Sequence, residues 1–86
     1  MDVDIVNIKR YSEVLIMAKR KIYLSRYERA IERLKPITES DEIYLSEAKI
    51  CLRSIKNSSS EIAIASYFNH IDFVLENSFG VKVILP

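Results

Sequence analysis

The chain has 86 residues, 49% of them apolar, with a formal net charge of +1. That length makes one domain, 1–86, near the lower limit at which a single hydrophobic core sustains itself, so self-association would help it. One cysteine (Cys51), one histidine (His70) and one glycine (Gly80) exclude an intrachain disulfide, a cysteine-based zinc site and a glycine-rich phosphate loop within one chain.

The opening Met1-Asp2-Val3-Asp4 is acidic where a signal peptide is basic, and no apolar run exceeds the five residues of Val14–Ala18, against roughly 20 for a membrane span. A cytoplasmic protein without a membrane segment is expected. Gln and Trp are absent while Ile, Lys, Arg and Glu are plentiful, a bias that fits a thermophilic source.

A first helix is predicted from about Ile5 to Lys35, stopped by Pro36, because the residue before a proline is disfavoured in the α region. At about 1.5 Å per residue such a helix would outrun its neighbours, so it overhangs or bends. Its apolar stripe changes sides. Ile8, Tyr11, Leu15, Ala18 and Ile22 fall together in the first half; Tyr23, Leu24, Tyr27, Ile31 and Leu34 lie on another side in the second.

Two accounts fit this swap. In one, residues after Tyr23 pack in the bundle while the stripe of the N-terminal extension, 1–22, meets another chain. In the other, a bend near Lys21 folds the extension back and makes four helices from one chain.

Thr38-Glu39-Ser40-Asp41 has capping-box spacing and opens a second helix that reaches about Lys56. Tyr44, Leu45, Ala48, Cys51, Leu52 and Ile55 form its apolar side. Asn57 to Ser60 breaks the pattern, and Ser58 with Glu61 offers a second capping box. The third helix gathers Ile64, Tyr67, Phe68, Ile71, Val74, Leu75 and Phe79 on one side and ends at Gly80 in a left-handed cap. The tail 81–86 is too apolar to hang free and should lie across the bundle or a partner chain.

The expected fold is therefore all-α, an up-and-down three-helix bundle with core 23–80 and a long first helix, or four helices if that helix bends. From Tyr23 onward the chain resembles an archaeal family of short helical proteins, domain of unknown function 357. The resemblance rests on Tyr23-Leu24-Ser25-Arg26-Tyr27-Glu28-Arg29-Ala30-Ile31-Glu32-Arg33-Leu34-Lys35-Pro36, on Tyr44-Leu45-Ser46-Glu47-Ala48-Lys49, and on Ala65-Ser66-Tyr67 ahead of Ile71-Asp72 and Gly80. The family's third helix carries an Ala where this chain has Phe68, and a Gly that is absent here between Tyr67 and Asp72. What the resemblance implies is an up-and-down bundle and an archaeal source, with no activity attached.

No catalytic or metal-binding constellation stands out, and no enzyme, metal or cofactor is expected. Asp72 lies at the edge of the third helix's stripe, where a structural ion pair with a cation of the first helix is a better reading than a general base, because no nucleophile accompanies it. His70 falls away from the stripe as a surface residue, Cys51 within its helix's stripe as a small hydrophobe. The five tyrosines lie on or beside apolar stripes, which suits core packing with the hydroxyl at the rim.

Two candidate functional surfaces remain. Ile8, Tyr11, Leu15, Ala18 and Ile22 form a candidate interface, for a homodimer or for another protein; Ile43, Ile50, Ile62 and Phe73, on outer helix faces, add weight to self-association. Lys19, Arg20, Lys21, Arg26, Arg29 and Arg33 form a candidate anion-binding face, interrupted by Glu28 and Glu32. Residues 1–36 carry a net +4 and residues 37–86 a net −3, so the halves can neutralise one another within a bundle or across a dimer. A protein-interaction or homo-oligomerisation module is expected, with an accessory nucleic-acid-binding protein as the alternative.

Overall fold

The computed structural model describes residues 13–86, with side chains from Ala18 onward. Three helices follow one another: α1 (Glu13–Glu32), α2 (Glu39–Asn57) and α3 (Glu61–Phe79). They pack up and down as an all-α bundle, and no strand occurs among the described residues. The α2–α3 interface is the most extensive of the three.

α1 runs unbroken through Lys21, so the chain does not fold back there. It ends three residues earlier than the Pro36 signal alone suggested. Pro36 has no amide hydrogen to return to the Glu32 carbonyl, and the last turn tightens instead, with the Leu34 amide donating to Ile31 at 3.1 Å. Asp41 and Thr38 then form the expected capping box: the Thr38 hydroxyl accepts from the Asp41 amide at 3.1 Å. The Asp41 carboxylate accepts from the amides of Ile37 and Thr38 at 3.0 and 3.3 Å, and these bonds hold its carboxyl below its ordinary 3.8.

The second cap differs from expectation. Ser60, not Ser58, caps α3, its hydroxyl accepting from the Ala63 amide at 3.2 Å. α2 continues through Asn57, so Ser58 already serves as its C-terminal boundary and all three serines are needed to reverse the chain. The Ser58 hydroxyl takes the Ser60 amide at 3.1 Å and tightens that turn. At the other end of α3, Gly80 adopts φ 64°, and the amides of Gly80 and Val81 both turn back to the Leu75 carbonyl.

The core follows the expected stripes. Tyr23, Leu24, Tyr27 and Ile31 of α1 meet Leu45, Ala48, Cys51, Leu52 and Ile55 of α2 and Ile64, Phe68, Ile71, Val74 and Leu75 of α3. Phe68 is its centre, with the Tyr23 ring edge-on at 6.0 Å and the Tyr27 ring tilted at 5.3 Å. Tyr44, placed in the α2 stripe by periodicity, stays 41% exposed instead, and Tyr67 is half-buried against the core. The tail does lie across the bundle: Val83 is buried, and Val81 and Leu85 pack partly against the same core.

Candidate interaction surfaces

Ile8 and Tyr11 of the candidate interface lie outside the described residues, and Leu15 is described only as a position within α1. Ala18 is exposed and Ile22 is 49% exposed. Helical geometry sets them opposite the Tyr23, Tyr27 and Ile31 side, which is fully covered. The end of the N-terminal stripe therefore faces away from the chain's own core.

The six candidate anion-binding residues do not stay together. Arg20 reaches across to the end of α2, where its guanidinium donates to the Ser58 carbonyl at 2.8 Å and points at the Ile55 carbonyl at 3.5 Å. Those carbonyls carry the negative end of the α2 dipole, and a cation there anchors one helix to the next. Arg20 is thus part of the scaffold and leaves the anion-binding set. Helical side chains lean toward their own N-terminus, so this contact leaves roughly one turn of the described α1 past the end of α2.

Lys19 is partly covered, and Lys21 lines a shallow groove between α1 and α2 with Leu24, Ser25, Glu28, Arg29, Glu32 and Lys56. Charges of both signs meet there, with Lys56 Nζ lying 3.2 Å from Glu28. Both side chains are well exposed, so the pair contributes well under about 1 kcal/mol.

Arg26, Arg29 and Arg33 remain, all exposed. The returning tail lies beside them, and together with Ala30, Leu34, Val81, Lys82, Val83 and Ile84 they enclose an open groove of about 490 Å³. Lys82 was missed by sequence reasoning. Its signal is the alternation of the tail, in which Val81, Val83 and Leu85 turn inward while Lys82 and Ile84 turn outward. Four cations thus surround an apolar floor.

The outer face of α2 is the opposite in charge. Glu39, Glu42, Ile43, Ser46, Glu47 and Ile50 border a shallow depression on its N-terminal half, where Ile43 and Ile50 are each 57% exposed. The Glu47 carboxylate lies 3.8 Å from His70 Nε2 of α3, the surface histidine expected from the sequence.

The isolated polar groups have structural surroundings. The Tyr27 hydroxyl donates to Asp72 Oδ1 at 2.5 Å, which brings α1 and α3 together at a partly buried point. Burial pushes the Cys51 thiol above its ordinary 9.0, and the Glu47 carboxylate adds to the shift. Among the described residues no three His, Cys, Asp or Glu side chains gather as a metal site, and no helix is long and apolar enough to cross a membrane. Comparison with protein-family models, curated proteins and solved structures finds no match to the chain.

Proposed function

We propose that this protein is an interaction module that associates with a second copy of itself through the outer face of α1. One observation carries the reading: Ala18 and Ile22 are exposed on the side of α1 away from the Tyr23, Tyr27 and Ile31 core stripe. Ile8, Tyr11 and Leu15 extend the same stripe in the sequence. A bundle of this size gains stability by covering such a face. The resemblance to the archaeal family belongs to the same reading, since it implies a bundle and no activity.

The test is the solution mass by light scattering at low and high salt, with Ile22→Asp as the variant. Ile22 is half exposed, so the substitution leaves the core intact. An association that persists at high salt as a dimer, and that at high salt becomes a folded monomer in Ile22→Asp, is the expected result. A wild type monomeric at high salt, or an unchanged high-salt mass in the variant, would overturn the reading.

A second reading draws on the groove around Arg26, Arg29, Arg33 and Lys82 as a site for nucleic-acid phosphates. It predicts affinity for single-stranded RNA or DNA that falls steeply with salt and disappears when the three arginines become alanine. The net charge of +1 and the neighbouring Glu28 and Glu32 weigh against it.

A further inference from the structure

The basic groove and the acidic face of α2 match each other in three respects. Each presents branched apolar residues among charges of one sign: Ile84 beside Arg26, Arg29, Arg33 and Lys82 in the groove, Ile43 and Ile50 beside Glu39, Glu42 and Glu47 on the helix. Both charge rows lie along helices over similar lengths. Arg26 to Arg33 is a seven-residue step and Glu39 to Glu47 an eight-residue one, about 10 and about 12 Å at the rise of an α-helix. Both surfaces are largely unsatisfied: Ile43, Ile50 and Ile84 are all more than half exposed, and among the described residues the three arginines have no ion pair and, of the three glutamates, Glu47 alone has a partner, His70 at 3.8 Å.

The acidic character is local. Lys49 flanks the patch one residue before Ile50 and Arg53 follows it, so the complementary acidic stretch is confined to Glu39 to Glu47. That restriction fixes a register, because sliding α2 along the groove by two turns would set Arg53 against Arg26, Arg29 or Arg33.

We infer that the N-terminal half of α2 of one copy seats in the groove between α1 and the tail of another, with Ile43 and Ile50 against Ile84 and the three glutamates against the four cations. This rests on the self-association reading and assigns it a second contact, electrostatic where the α1 contact is apolar. The groove and its ligand are different patches, so the contact is isologous and closes into a dimer when both copies reciprocate, and is otherwise heterologous and propagates.

The experiment is a charge swap on the full chain. One variant carries Arg29→Glu, Arg33→Glu and Lys82→Glu; the other carries Glu39→Lys, Glu42→Lys and Glu47→Lys. Each alone opposes like charges and each should lose salt-sensitive association, weakening it about tenfold, the scale of three exposed ion pairs. Mixed in equal amounts the two present complementary surfaces again, and the association should return. Circular dichroism confirms that both variants fold.

Sedimentation at about 0.05 M and 1 M salt separates this contact from the α1 contact, because only the former is screened. Ile22→Asp removes the α1 contact and leaves the salt-sensitive one, so the two readings fail independently. Masses of the charge variants equal to wild type at low salt, or a mixture no heavier than its components, would overturn the inference. So would a wild type that stays monomeric at low salt while its groove takes up a single-stranded oligonucleotide.

Discussion

Replacing Arg20 with alanine separates scaffold from surface. The side chain is partly buried and makes one good hydrogen bond, 2.8 Å to the Ser58 carbonyl; the 3.5 Å approach to Ile55 is at the limit and adds little. A hydrogen bond to a charged group contributes about 1.5–3 kcal/mol when well sheltered, and a cation at a helix C-terminus about 0.3–1 kcal/mol. Discounted for partial exposure, the loss should be about 1.5 kcal/mol, or roughly 6–12 °C in Tm for a domain of this size. Urea and thermal unfolding followed by circular dichroism at a fixed protein concentration measure it. The internal control is Arg29→Ala, which lines the open groove and should change stability by less than about 0.5 kcal/mol. If Arg20→Ala proves as neutral as Arg29→Ala, the guanidinium does not hold α1 to the end of α2 and the assignment of Arg20 to the scaffold is refuted.

Gly80→Ala should cost about 1 kcal/mol because φ is 64°, although no atom lies within 4 Å of the added methyl; a neutral result in urea unfolding would contradict the left-handed cap. Asp41 has a lowered folded pKa, so its stabilisation is fully present above the ordinary value of 3.8 and is lost as pH falls through the lowered one. Asp41→Asn should therefore flatten the acid limb of a stability-versus-pH titration and lower stability at neutral pH. Cys51, buried and with its thiol pKa raised, should react with a disulfide reagent only as fast as the bundle opens, and rapidly in denaturant.

The helices and their buried sides were legible in the sequence because both depend on spacing within ten or twenty residues. Leu45, Ala48, Cys51, Leu52 and Ile55 recur at the helical period and are all buried, and the Thr38–Asp41 box and the Gly80 cap are set by a few consecutive residues. Local rules blurred where several residues could play one part. Three consecutive serines can each cap a helix, and only the length of α2 selects Ser60. What could not be read was the meeting of distant segments. Arg20 looks like its basic neighbours until Ser58 arrives 38 positions later to take its hydrogen bond. Lys82 joins Arg26, Arg29 and Arg33 only because the tail returns along α1, a path set by tertiary packing.

The aromatic centre has an optical consequence. With no tryptophan in the chain, near-ultraviolet absorbance and emission come mainly from tyrosine, and among the described residues Tyr23 and Tyr27 are fully enclosed against Phe68. Near-ultraviolet dichroism of the unmodified protein therefore reports the fixed orientation of that ring cluster, while far-ultraviolet dichroism reports the helices. A chain that kept its helices but let the cluster loosen would show the two signals parting, without any label or added chromophore.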